Sequence, residues 1–419
     1  MNFKPNPLLY AACENFYSSF KLAVTMRDAI DHAVLSKAVA VAMTRYPYFC
    51  VFPKKEGSGI VLEFNTRPVP VLDSDRCLVL GSEECNGHLI YFGCEENKIL
   101  LNASHYIVDG MGIDPLLKTV LYLYVAEIYG ADGLMAERIR MPSERACDEE
   151  YAYPFPDGPF ATDDSWPSPK IPNEAYGLDP DAFDGEGLYA YHLHIPQRAM
   201  MSRANPSDGS PVSFLTVLMY HAISSLDESV DVPVVAHVQH QYRQALRTPY
   251  NRHSLVSYVP VSLPPRAKRW DIEQQNTVIR GQIIFGSEPT EDLRAVNRIL
   301  NAMPDDQASL SEKKTAMREY VERSVLRKTF GISYVGKMDW CGLDRYVRDI
   351  HAYIGEKGVK NMMLIEVMTV GDDFTINLMQ SGKGRAYLDA FMEAMRRMDI
   401  PVTLVGEERY ALCDTQIPD

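Results

Sequence analysis

Two ionisable side chains stand out by their placement. His105 and Asp109 lie four residues apart in "SHYIVDG", and Gly110 follows directly. Upstream, "KILLNAS" is an apolar, strand-like run. Downstream, "GIDPLLKTVLYLYVAEI" carries Ile113, Leu116, Leu117, Val120, Leu121, Tyr124 and Ile128 at helical spacing, one buried face. An imidazole with an ordinary pKa near ~6.5 accepts a proton well at neutral pH, and such a base contributes roughly 100- to 10,000-fold in rate. Asp109 at the helix start suits capping of backbone N–H groups or pairing with an arginine. Gly110 suits a tight turn with an unusual φ. The same spacing also describes a plain strand, Asp-Gly turn and helix, with His105 packed as a core histidine. Spacing alone leaves both readings open.

A working imidazole needs rigid mounts, and the flanking sequence supplies them. Residues 28–45 read as a helix, with Ile30, Val34, Ala38, Val41 and Ala42 on one side and Pro47 as its stop. "GIVLEFN" (59–65) reads as a strand, and 87–105 as two strands around a Glu-Glu-Asn-Lys turn. Further on, 188–195 and 232–244 read as strands and 211–226 as a helix. A hairpin spans 361–381 and an amphipathic helix spans 384–398. Strands and helices do not alternate as a doubly wound parallel sheet requires, so a mixed α+β fold is expected.

A chain of 419 residues suits about two lobes. The segment 148–187 divides it: eleven Asp or Glu against one Lys, seven prolines and four glycines. No long helix or central strand fits there. Its aromatic residues, including Tyr153, Phe155, Phe160 and Trp166, are too many for a solvated tether, so it is expected to lie against both lobes. The expected division is 1–147, an acidic linker 148–187, and 188–419.

The net charge of −14 argues against a nucleic-acid partner. No apolar run approaches the ~18–20 residues that span a bilayer, and the first residues lack a signal-peptide pattern. A cytoplasmic protein is expected. The eight cysteines form no C-x-x-C pair and read as reduced, packed thiols. His192 and His194 share a strand face, a metal pair without a third ligand, so no metal site is expected. His237 and His240 lie on the strand-to-loop run 232–244 and are not read as catalytic.

Taken with its position, "SHYIVDG" resembles the H-H-x-x-x-D-G signature of the coenzyme-A-dependent acyltransferase superfamily. That superfamily includes chloramphenicol acetyltransferase, nonribosomal peptide condensation domains, alcohol O-acetyltransferases and plant acyltransferases. Ser104 stands in the place of the first His, a replacement frequent in the alcohol acetyltransferase branch. "MRDAIDHAVLSKAVAVAMTRYPYF" (26–49), "HQYRQALRTPYNRHSLVSYVPV" (240–261) and "FGISYVGKMDW" (330–340) resemble further family segments in the right order. Tyr334 stands where the family has Asn, and the plant D-F-G-W-G motif is absent.

The resemblance implies a two-lobed chloramphenicol-acetyltransferase-like fold with a central tunnel. His105 would deprotonate a hydroxyl or amine acceptor that attacks a thioester directly, with no acyl-enzyme. Asp109 and Gly110 would be structural, Asp109 pairing with Arg243; Arg247 and Arg27 are the alternatives. Ser104, Tyr106, Ser333 and Gly336 are candidates for substrate or oxyanion contact, and Arg323, Arg327 and Lys328 for coenzyme A phosphates. No resident cofactor is implied; acyl-CoA or an acyl-phosphopantetheine is the co-substrate. Two alternatives stand beside this reading. One is a freestanding condensation-type enzyme served in trans by an acyl or peptidyl carrier protein. The other is a non-catalytic binding protein.

Overall fold

Alternation along the strands decides which face each sheet buries, and it produces two large sheets that confront each other. A computed structural model describes residues 2–12, 19–163, 165–325, 328–355 and 361–419. Seven strands run in the order Val256–Leu263, Val234–Gln241, Phe330–Tyr334, Met363–Val370, Asp373–Ser381, Leu188–Pro196 and Thr403–Tyr410. Ala236, Ile332, Ile365, Ile376 and Leu193 point to one face. They pack there against the helices Pro211–Leu226 and Ala386–Arg397. Phe330–Tyr334 is parallel to both neighbours, while the other pairs are antiparallel. The fold is thus mixed α+β, with two sheet-rich lobes.

The other sheet runs Val347–Tyr353, Ser19–Met26, Lys98–Ser104, Ile90–Glu95 and Val71–Leu72. The expected hairpin of 87–105 is here, closing where Glu95 faces Lys98. Ile99, Leu101 and Ala103 face the core that includes the helices His32–Met43 and Gly110–Tyr129. Ala23 and Leu100, on the opposite face, meet Ala190, Leu364 and Met379 of the seven-stranded sheet. A small third sheet joins Asn2–Phe3, Gly59–Phe64 and Val51–Glu56.

One strand departs from the division at 188. Val347–Tyr353 comes from the later part of the chain, yet it pairs antiparallel with Ser19–Met26 as the edge of the earlier sheet. The reason is visible in its burial: Ile350 packs into the first core, while Tyr353 joins the layer between the sheets.

The acidic segment 148–187 lies along both parts. Its described residues hold two short helical turns, Asp148–Tyr151 and Pro180–Ala182. At its start Glu150 receives Arg45 Nη1 and Nη2 at 3.0 and 2.7 Å and the Tyr48 hydroxyl at 2.8 Å. Burial alone would raise this carboxyl, but those donors hold it down at about 2. Further along, Phe155 packs with Tyr242, Leu255 and Val296, Trp166 stacks on Phe285 at 5.5 Å, and Tyr176 donates to Asp227 at 2.7 Å.

Candidate active site

The strand Lys98–Ser104 ends one residue before His105, and the helix Gly110–Tyr129 begins five residues after it. Asp109 is the N-cap of that helix: its Oδ1 accepts from Gly112 N at 2.8 Å. Its carboxylate receives three further donors. Arg243 Nη1 reaches Oδ2 at 2.9 Å, Arg243 Nη2 reaches Oδ1 at 2.8 Å, and Leu255 N reaches Oδ2 at 2.8 Å. Both side chains are buried, at 5% and 3% exposure, so a bidentate charge-assisted pair replaces the lost water. Arg243, rather than Arg27 or Arg247, thus reaches Asp109. The remaining guanidinium donors go to the carbonyls of Asn251 and His253, at 2.9 and 2.8 Å.

His105 itself is only partly buried. The edge of Phe20 packs against its ring, with centroids 5.1 Å apart. Ser254 Oγ lies 3.4 Å from its Nδ1, and Nε2 has no hydrogen-bond partner among the described residues. Burial pushes the imidazole below its ordinary pKa; the Asp109 charge and the residue's own backbone pull the other way.

Several expectations need correction. Gly110 has no unusual φ; it is the first helical residue, and a Cβ there would lie an ordinary 3.7 Å from Val335 Cγ1. The indispensable glycine is Gly112, where a Cβ would come within 2.4 Å of the Arg252 carbonyl oxygen and 2.8 Å of Val108 Cγ2. Ser104 is fully buried and accepts from Thr415 Oγ1 at 3.3 Å. Tyr106 is buried in the first core.

Ser333 sits near the end of Phe330–Tyr334, its Oγ in a 2.9 Å hydrogen bond with Glu366 Oε1. Gly336 follows with φ 87°, a left-handed conformation that favours glycine, and with open space where a Cβ would be. Arg323 lies on the surface of the helix Leu310–Val325, bonded to Glu319 Oε2 at 3.1 Å. Lys328 lies just before the strand Phe330–Tyr334, and Arg327 lies outside the described residues.

The remaining histidines have other employment. His194 Nε2 meets Asp349 Oδ2 at 2.6 Å, and His192 Nε2 meets Glu408 Oε1 at 3.0 Å. Among the described residues no group is arranged to hold a metal ion. His240 bonds to Asp292 at 3.1 Å, while His237 is buried and stacks on Tyr258 at 4.0 Å. A cleft of about 440 Å³ opens elsewhere, near His221, Lys268 and Arg397, and shares no residue with the His105 site.

Sequence reasoning missed Asn251, Ser254 and Leu255. Asn251 is fully buried; it donates to the carbonyls of Glu149 and Ala152 at 3.0 and 2.8 Å, tying the arginine's loop to the acidic segment. The signal was present in "YNRHSL", where an Asn closes a polar turn before an apolar strand.

Neither a family model nor a curated protein matches the chain by sequence. Its fold, however, is that of known structures. TRI101 of F. graminearum, complexed with coenzyme A and T-2 mycotoxin, aligns over 97% of this chain and 100% of its own, with TM-score 0.59 and 11% identity. Polyketide synthase associated protein 5 of Mycobacterium tuberculosis aligns over 90% and 93%, with TM-score 0.55 and 13% identity. The epimerization domain from the third module of tyrocidine synthetase B aligns over 95% and 97%, with TM-score 0.53 and 11% identity. At these identities the likeness establishes the fold.

Proposed function

We propose that this chain is an acyltransferase that moves an acyl group from a coenzyme A thioester to a hydroxyl or amine of a small molecule. One observation carries the reading: from a loop held by the buried Asp109–Arg243 pair, His105 offers an Nε2 that has no partner among the described residues. The fold shared with a coenzyme A-complexed protein supports it. The acceptor's O–H or N–H proton passes to His105 Nε2 while its heteroatom attacks the thioester carbonyl. The tetrahedral intermediate collapses, the C–S bond breaks, and the thiolate leaves as the thiol with the proton from His105. No acyl-enzyme forms. The space between the confronting sheets serves as the tunnel through which donor and acceptor meet. Ser333 is the donor proposed for the developing oxyanion, a role worth roughly 100-fold or more where such groups have been removed. Arg327 and Lys328 remain proposed contacts for coenzyme A phosphates, with Arg323 engaged by Glu319.

The test is thiol release from a panel of acyl-CoAs with alcohol and amine acceptors. His105→Ala should lose at least roughly 100-fold in turnover, the lower range for a general base, and keep its melting temperature. A His105→Ala variant with normal turnover would refute the mechanism. Turnover only with an acyl group loaded on a carrier protein would instead identify the condensation-type enzyme.

A further inference from the structure

Glu366 stands on the face of the seven-stranded sheet that looks toward the other sheet. Its neighbours along the strand settle this: Leu364 packs with Ala23 and Leu100, and Met368 belongs to the first core. The side chain is 5% exposed. An ionised carboxylate in such a place is costly unless a cation or several donors meet it. Among the described residues Glu366 has one hydrogen bond, with Ser333 Oγ at 2.9 Å.

No Lys or Arg among the described residues pairs with it. The Cα partners across the two adjoining strands are Ser333 and Asn377; Asn377 is neutral, its Nδ2 donating to the Ala352 carbonyl at 2.8 Å and its Oδ1 without a partner among the described residues. On the strand packed against it, the titratable groups Asp349 and His351 bond to each other at 3.1 Å. Burial pushes the Glu366 carboxyl up to about 8, with Ser333 as the opposing influence. Asp109 makes the contrast: equally buried, it meets a guanidinium and two backbone N–H groups.

The pair also has an address. Two residues beyond Ser333, Val335 Cγ1 lies 3.7 Å from where a Cβ on Gly110 would be, so this strand's end abuts the start of the helix that Asp109 caps. Resting on the acyl-transfer reading, we propose that Glu366 is the positioning residue for Ser333. As a neutral acid it donates its O–H to Ser333 Oγ, and the Ser333 O–H is thereby turned into the space between the sheets, toward the oxyanion. When ionised, the carboxylate accepts the Ser333 proton and withdraws that donor. Turnover should then fall as pH rises through the value at which Glu366 ionises.

Two measurements on the full chain test this: infrared titration of protonated carboxyl bands, and the pH profile of thiol release. Both compare wild type with Glu366→Gln and Ser333→Ala. A glutamine amide also donates to Ser333 Oγ but does not titrate. The expected result is a protonated-carboxyl band at pH 7 that Glu366→Gln removes and that fades near pH 8. Glu366→Gln should retain thiol release within about threefold, since one neutral donor replaces another, and lose the alkaline limb. Ser333→Ala should fall about 100-fold.

A wild type that turns over but lacks the band overturns the proposal. So does a Glu366→Gln variant as impaired as Ser333→Ala. A wild type that shows the band but releases no thiol from any donor refutes the acyl-transfer reading, and the role given to Ser333 with it.

Discussion

Removing Asp109 should cost more than removing Arg243, and the two losses should not add. Asp109→Ala strands a buried guanidinium with only the Asn251 and His253 carbonyls, and it leaves Leu255 N without its acceptor. Breaking a buried ion pair from one side costs about 3–5 kcal/mol, and losing an N-cap about 1 kcal/mol more. Arg243→Met is milder, because Gly112 N and Leu255 N still serve the carboxylate. An unfolding entropy of ~2.1 cal/mol/K per residue over 419 residues gives ~0.9 kcal/mol/K. A loss of ~4 kcal/mol then lowers Tm by about 4–5 °C if the chain unfolds as one unit. Calorimetry on both single variants and the double variant measures the coupling. The double variant should sit well above the sum of the singles, with thiol release following the folded fraction. Additive losses would refute the pairing as the main contribution. An Asp109→Ala variant that keeps its Tm but loses turnover would show that Asp109 takes part in the chemistry rather than bracing the loop.

Three further outcomes can be checked. Gly112→Ala should destabilise by several kcal/mol, because its Cβ meets backbone at 2.4 Å, whereas Gly110→Ala should fold normally and gain up to ~1 kcal/mol in helix propensity; urea midpoints separate them. Turnover should fall on the acid side as His105 takes up a proton. Because burial lowers its pKa, the midpoint should lie below the ordinary ~6.5, read from the pH profile of kcat/KM. Glu150, held at about 2 by Arg45 and Tyr48, lends stability that is complete above its ordinary value of 4.5 and is lost as pH falls toward 2. Urea midpoints between pH 5 and 3 should decline more for wild type than for Glu150→Gln.

The hairpins, the long helix after Asp109 and the acidic segment could be read from the chain because local pattern determines them. Each carries its own periodicity or its own prolines. The Asp109–Arg243 pair was nameable only through the family resemblance, since 134 residues separate its members. Ser104 misled because its motif position suggests the site, while its hydroxyl is fully buried against Thr415, a residue 311 positions away. Gly110 misled similarly: "DG" suggests a turn glycine, but the close approach comes from Arg252, which no local pattern predicts. Glu366 was invisible because "NMMLIEVMTV" reads as a simple apolar strand with one acid in it. What makes that acid unusual is the sheet facing it.

The strand Val347–Tyr353 has a consequence for how the protein is made. Until the ribosome has delivered residue 353, the strand Ser19–Met26 has one side of its backbone unpaired. An open edge of this kind is a template for pairing with other chains. The N-terminal half must therefore wait on the C-terminal half through much of synthesis, and a nascent chain halted within the acidic segment should need a chaperone to remain monomeric. Separately expressed halves, divided near residue 187, should each be insoluble alone and recover together.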